Sequence, residues 1–224
     1  MRINQFVAQA SGLSRRAADT AIVEGRVTLD SQVAVIGQAV NSGTAVTLDG
    51  TVLTLAPAYT YLKLHKPAGY VSSRARQSDK PTLYELLPAE YQSLRIAGRL
   101  DLDSSGLIIL SSDGNFIQTL SHPTAGKTKR YELILESPVA APDLDRLARG
   151  VMLTDGLSQV TVLDHQSKFI TVTLEEGRNR QLRRTFGALG YTVVRLHRTM
   201  VGELSLGDLP SGHYAQLDAR EVSL

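Results

Sequence analysis

Residues 97–114 read AGRLDLDSSGLIILSSDG. The triplet Arg99-Leu100-Asp101 leads into the small pair Ser104-Ser105, then Gly106, then the apolar run Leu107 to Leu110. A polar turn that opens onto an uninterrupted apolar run is a loop feeding a buried strand. It sets Asp101 at the edge of a core. A carboxylate there can act as nucleophile or base if a nearby cation keeps it ionised. Asp101 and Asp103 read equally as turn formers ahead of the strand.

On either side of this loop, short apolar or alternating runs predict further strands at Tyr61–Leu64, Arg130–Leu135, Val160–Leu163, Ile170–Leu174, Val193–Leu196 and Tyr214–Leu217. Between them, Thr82 and Glu85 have the spacing of a capping box and mark a short helix. Many short strands with a few helices predict an α+β domain around a largely antiparallel mixed sheet.

The start of the chain reads differently. Ile3, Phe6, Val7 and Ala10 follow helical spacing up to Ser11-Gly12. Ser14 can cap a second helix through Ala17, Ala18, Ala21 and Ile22, with Gly25 as a left-handed terminator. The period then falls to two: Val27 and Leu29, Val33 and Val35, Val46 and Leu48, and, after the Asp49-Gly50 turn, Leu53 and Leu55. Ala56-Pro57-Ala58 reads as a linker, placing a small unit over 1–56 and a larger one over 57–224.

The chain has 224 residues, 42% of them hydrophobic and 21% charged, with no cysteine. That composition argues against disorder or a fibrous repeat, and it removes disulfides and thiolate chemistry. With no apolar run near the length of a membrane span and no secretory leader pattern, the expected compartment is the cytoplasm. No glycine-rich phosphate loop, zincin motif or dinucleotide fingerprint occurs. The net charge is only +2. Residues 177–202, however, carry six arginines and no acid, a single-signed stretch that suits a phosphate-bearing partner. A solvated arginine-rich face gives the same pattern.

Two more segments stand out. In Lys127–Tyr131 a basic run enters a strand and presents Tyr131, whose ring can stack on a base or simply pack. In Glu176–Gly187 a helix would turn Leu182, Phe186 and Leu189 to the core and Arg180, Arg183 and Arg184 away from it.

Together these segments resemble the bacterial ribosomal-RNA pseudouridine synthases of the small-subunit uridine type, in the branch with an N-terminal S4 RNA-binding domain. The family's GRLD, small pair and GLLLLT-x-DG are matched by GRLDLDSSGLIILSSDG at 98–114. Lys66–Tyr70 (KPAGY) resembles its KP-x-G element, Lys129–Tyr131 its lysine-and-tyrosine motif, and Glu176–Arg184 its EGRNRQ-V-RR motif. Residues 2–29 look like the S4 pattern of two helices and a strand. Ser111-Ser112, Arg130 and Thr185-Phe186 depart from the usual residues.

The resemblance implies an S4-like (αL) RNA-binding domain over 1–56, a pseudouridine synthase domain over 57–224, and isomerisation of uridine to pseudouridine in ribosomal RNA without cofactor or metal. It makes Asp101 the catalytic carboxylate and Arg183 its salt-bridge partner. Tyr131 would stack on the uracil and Leu182 would pack on its other side. Arg99 would fill the space left by a flipped base or hold the extruded backbone. Lys129, Arg180 and Arg184 would contact substrate, and Arg15, Arg16 and Arg26 would hold phosphates. The GRNRQLRR motif points to a large-subunit rather than a small-subunit uridine, acted on by a monomer away from membranes. Two other classes compete: a non-catalytic RNA-binding or ribosome-assembly protein, and a glycoside-processing enzyme with Asp101 and Asp103 as acid and base.

Overall fold

The computed structural model describes residues 1–41, 43–55, 59–76, 79–121, 127–218 and 221–222. It divides into two compact units, Met1–Tyr59 and Thr60–Leu224. The linker expected at 56–58 lies outside the described residues. Among the described residues no helix is long and apolar enough to cross a membrane.

The first unit pairs helices α1 (Ile3–Ser11) and α2 (Arg15–Val23) with a four-stranded sheet of order β2-β1-β3-β4. Its strands are β1 (Val27–Leu29), β2 (Gln32–Val33), β3 (Val46–Leu48) and β4 (Thr51–Leu53). Gly12, at φ 76°, ends α1 by donating its N–H to Ala8 O. The Ser14 hydroxyl accepts the Ala17 N–H at 3.1 Å and caps α2. Asp49 and Gly50 both have positive φ, the geometry of a tight hairpin turn between β3 and β4. Ile3, Val7, Ala18, Ile22, Val27 and Val46 form the core. Val35, expected in a strand, lies beyond the two-residue β2 and is exposed.

The second unit runs β5 (Tyr61–Lys66), β6 (Arg95–Ala97), β7 (Ser105–Ser111), α3 (Gly114–Ser121), β8 (Lys129–Leu135), α4 (Ala141–Arg149), β9 (Val151–Leu153), β10 (Gly156–Ser158), β11 (Thr161–Gln166), β12 (Phe169–Leu174), α5 (Gln181–Ala188), β13 (Val193–Val201), β14 (Leu204–Ser205) and β15 (Tyr214–Gln216). Its main sheet has the order β11-β12-β8-β13-β7-β5-β15. The pairing of β13 with β7 is parallel and the other neighbours in that order are antiparallel, so the sheet is mixed.

The centre of β7, Leu107 to Leu110, is apolar because both its faces are covered. Ile108 and Leu110 join Leu62, Leu133 and Phe186 in one core. Leu107 and Ile109 join Phe116, Leu120 and Val201 in another. Strands β6, β9, β10 and β14 fall outside the predicted runs, and among the predicted strands β13 and β11 differ most in extent. Strand β13 continues five residues past Leu196, and β11 begins at Thr161 and runs on through Asp164 and His165. Strand β11 is an edge strand with a register shift between Val162 and Asp164, and its largely exposed residues need no apolar alternation. The turn capped at Thr82 is a 3-10 helix, Leu83–Leu86, whose Glu85 carboxylate accepts the Thr82 N–H at 2.9 Å.

Candidate active site

The loop between β6 and β7 carries Asp101, and buried polar side chains hold its backbone. Lys66, at the end of β5, is fully buried, and its Nζ donates to the carbonyls of Pro67, Asp101 and Ser104 at 3.0, 3.1 and 2.7 Å. An ammonium has three N–H bonds, and all three are used. Burial drives the Lys66 pKa down to about 8 despite the opposing pull of Asp101 and Asp103. Ser72 clasps Leu100 from both sides: its hydroxyl donates to the carbonyl at 2.7 Å and accepts the N–H at 3.2 Å. Arg198, on β13, is 2% exposed and donates Nε to Leu107 O at 2.9 Å and Nη1 to Arg99 O at 3.5 Å. Its Nη2 has no partner among the described residues.

Beside this loop is a cleft of about 500 Å³ that brings Asp101 together with Arg99, Lys129, Tyr131, Leu182 and Arg183. Tyr131, on β8, and Leu182, on α5, are both buried and line it. Arg99 lines it with an exposed side chain. Lys129 Nζ donates to the carbonyls of Lys127 and Glu175, each at 3.2 Å, and burial lowers its pKa.

The arginine expected on Asp101 is elsewhere. Arg183 places Nε 3.2 Å from the Asp103 carboxylate and donates Nη2 to the Asp103 carbonyl at 3.0 Å and Nη1 to Val193 O at 2.6 Å. Asp103 offers one guanidinium both its carboxylate and its carbonyl, which explains the preference. Arg180 also binds Asp103, donating both Nη atoms to the two carboxylate oxygens at 3.1 and 2.9 Å. Burial works to raise the Asp103 pKa, but the Arg180 hydrogen bonds and the Arg183 charge outweigh it and hold the carboxyl below its ordinary range. The nearest cation to the Asp101 carboxylate is Arg180, at 3.9 Å. Among the described residues the Asp101 carboxylate accepts no hydrogen bond, and about a third of the side chain is exposed to the cleft.

Helix α5 has the expected apolar face, with Leu182 and Phe186 buried, but its arginines are not a bare cationic surface. Arg184 is paired through both Nη atoms with the Asp155 carboxylate at 2.9 and 2.8 Å. Arg178 donates to the carbonyls of Asp155, Gly156 and Leu157 and pairs with Glu176. Gln181 Nε2 donates to Ser158 Oγ at 3.0 Å, and Ser158 Oγ lies 2.8 Å from Thr185 Oγ1. These contacts fasten the β9–β10 hairpin to the start of α5. Much of the Glu176–Arg184 motif therefore builds the wall of the cleft.

In the first unit Arg15 and Arg16 are exposed at the start of α2. Arg26 already bonds the Asp49 carboxylate at 2.8 and 2.6 Å and Glu24 at 3.2 Å. Lys66, Ser72 and Arg198 are site residues that the sequence pattern does not single out for a role in the site. The KP element is the one signal for Lys66, Arg198 stands out only as one of the six arginines of 177–202, and Ser72 carries no signal.

A carboxylate on a braced loop, beside a buried tyrosine and leucine in a cleft with cationic walls, suits chemistry on a flat base attached to a phosphate backbone. The family model described as RNA pseudouridylate synthase matches residues 60–188. The chain belongs to that family. A solved pseudouridylate synthase is 29% identical, with a TM-score of 0.72 over 99% of this chain and 98% of that one. The ribosomal small subunit pseudouridine synthase A of Escherichia coli (strain K12) is 35% identical over all of this chain and 99% of its own length. Its counterpart from Pasteurella multocida is 34% identical over 100% and 98%. The ribosomal large subunit pseudouridine synthase B of Xanthomonas campestris is 34% identical over 99% of this chain and 48% of its own length.

Proposed function

We propose that this pseudouridine synthase isomerises a specific uridine in ribosomal RNA, as a cytoplasmic monomer, with Asp101 as the catalytic carboxylate. The observation that carries this reading is the position of Asp101: its backbone is tied down by Lys66 and its carboxylate, free of hydrogen bonds among the described residues, lines a cleft of base size.

The reaction breaks the bond between uracil N1 and ribose C1′ and joins C5 to C1′. The C5 proton leaves and N1 gains one, so the product is an isomer. A uridine within folded RNA must first be flipped out, at a cost of about a few kcal/mol. In the cleft Tyr131 stacks on the uracil and Leu182 packs against its other side. Asp101 then attacks C1′ or removes the C2′ proton; both routes start from the same carboxylate. Arg183 acts as a positioning residue by tying the Asp103 end of the loop to Val193. Arg99 and Arg180 hold the extruded backbone at the rim, Lys129 shapes the wall beneath them, and Arg184, outside the cleft lining, fastens the β9–β10 hairpin through Asp155.

The first unit serves as the S4-like RNA-binding domain over about 1–56, with Arg15 and Arg16 as phosphate contacts that position the RNA without reading its sequence. Arg26 joins them only by leaving Asp49. The GRNRQLRR motif favours a large-subunit uridine. The relatives matched end to end are small-subunit enzymes, which supports the opposite choice. Mapping pseudouridines in both ribosomal RNAs from cells with and without the gene tests the reading: one position that loses its modification supports it and names the subunit, and unchanged maps refute it.

A further inference from the structure

We infer that Lys129 is a second catalytic group, whose ammonium holds the negative charge that collects on the uracil carbonyls as the N1–C1′ bond breaks. This inference rests on the reading of Asp101 as the catalytic carboxylate and of Tyr131 as the surface on which the uracil stacks.

Among the described residues six cations line the cleft, and Asp101 is its one acid. Arg178, Arg180 and Arg183 are paired with carboxylates, and Arg99 is exposed. Lys129 and Arg198 remain. Their hydrogen-bond partners among the described residues are backbone carbonyls, which leave both charges unneutralised. Both flank Tyr131. Lys129 is two residues before it on β8, so the two side chains leave the same face of the strand. Arg198 is opposite Tyr131 in the pairing of β13 with β8.

Lys129 Nζ spends two of its N–H bonds on the carbonyls of Lys127 and Glu175, and the third is free. The two carbonyls fix the ammonium at the cleft and leave one donor for a ligand. Burial and then the charge of Arg198 disfavour the protonated form, and an anion beside Nζ reverses that. Arg198 is 2% exposed, so its charge acts on the cleft through space.

Cleavage of N1–C1′ leaves the electron pair on N1, and conjugation spreads it to O2 and O4. C1′ is meanwhile joined to Asp101, or becomes part of a glycal whose C2′ proton Asp101 holds and later returns. The ring then turns and C5 joins C1′ with that electron pair; the C5 proton leaves and N1 takes one. Between the two bond changes the uracil is an anion. A fixed, charged donor at O2 or O4 stabilises that anion more than the neutral base, which is what speeds the step.

The test measures single-turnover rate and affinity on saturating RNA that carries uridine, 2-thiouridine or 4-thiouridine at the modified position. Wild type is compared with Lys129→Met, Lys129→Gln and Asp101→Asn. On uridine, Lys129→Met is expected to lose about 100-fold in rate, the effect of removing one donor from an oxyanion site, with affinity within a few-fold. Lys129→Gln keeps two N–H bonds for the two carbonyls and lacks the charge, so it should be as slow, and it stands in for the methionine variant if that chain does not fold. Sulfur accepts hydrogen bonds weakly and holds negative charge better than oxygen. On the thio substrate whose sulfur takes the Lys129 position, the ratio of wild-type to variant rate should therefore fall to about tenfold or less, and the substrate that shows this names the oxygen.

A defect of equal size on all three substrates overturns the inference, because a structural lysine is indifferent to the leaving group. So does a Lys129→Gln rate near that of wild type. A variant whose rate is restored at saturating RNA and whose log-log salt slope is shallower by about one unit also overturns it, and makes Lys129 a phosphate contact. If Asp101→Asn is inactive in any of these cases, only the role of Lys129 falls. If Asp101→Asn is active, the reading of the site falls with it.

Discussion

Gly106 and Arg198 meet backbone to backbone where β7 and β13 run parallel: a Cβ on Gly106 would lie 2.2 Å from the Arg198 carbonyl oxygen and 2.5 Å from its nitrogen. Gly106 also has φ 113°, which side-chain-bearing residues rarely adopt. This approach lets Arg198 reach Leu107 O and Arg99 O and so brace the loop that carries Asp101.

Gly106→Ala should therefore destabilise the second unit by about 2 kcal/mol or more, since overpacking and a left-handed backbone act together. Urea unfolding checks this. Gly187→Ala, in α5, with open space around its Cβ position and no positive φ, should be neutral or slightly stabilising.

Lys66 predicts an alkaline limit to activity. Above a pH of about 8 its ammonium loses a proton, and two N–H bonds remain for three carbonyls, so the Asp101 backbone loosens. The single-turnover rate should fall with a midpoint near pH 8. Stability should move the other way. The folded pKa lies below the unfolded value of 10.5, so the unfolded chain holds more protons in that window, and the contribution of Lys66 to folding free energy rises with pH from about 8 to 10.5. Rates and urea midpoints across pH 7 to 11, for wild type and Lys66→Met, check both signs; the variant should be slower and should lack this transition.

In the first unit ion pairing, rather than exposure, separates the arginines. Arg15→Gln and Arg16→Gln should each make the log-log salt dependence of RNA binding shallower by about one unit, as expected when a phosphate contact is lost. Arg26→Gln should leave the slope unchanged, because Asp49 and Glu24 already engage its guanidinium. Binding titrations at several salt concentrations read out all three.

What the sequence disclosed was local. The apolar run at 107–110, the Ser14 cap, the Asp49-Gly50 turn and the Leu182–Phe186 face of α5 each follow from neighbours a few residues apart, and each has its counterpart in the structure. The arrangement of charge was not legible in that way. Residues 177–202 contain no acid, yet Arg180 and Arg183 meet Asp103 from 77 and 80 residues away, and Arg184 meets Asp155. A charge run reports only on its own segment. Its neutralising carboxylates arrive on the β6–β7 loop and on the turn of the β9–β10 hairpin, which the fold brings to α5. The same holds for Lys66, which reaches the Asp101 carbonyl across 35 residues.

The most direct test of the account is the single-turnover rate of Asp101→Asn on ribosomal RNA that the wild-type chain modifies, measured beside its RNA affinity and unfolding midpoint. The substitution keeps the side chain's size, and the backbone contacts to Lys66 do not depend on the carboxylate. Asp101→Asn is expected to form no detectable pseudouridine, with affinity within a few-fold of wild type and an unchanged midpoint. Pseudouridine formation by Asp101→Asn at a rate near that of wild type would contradict it.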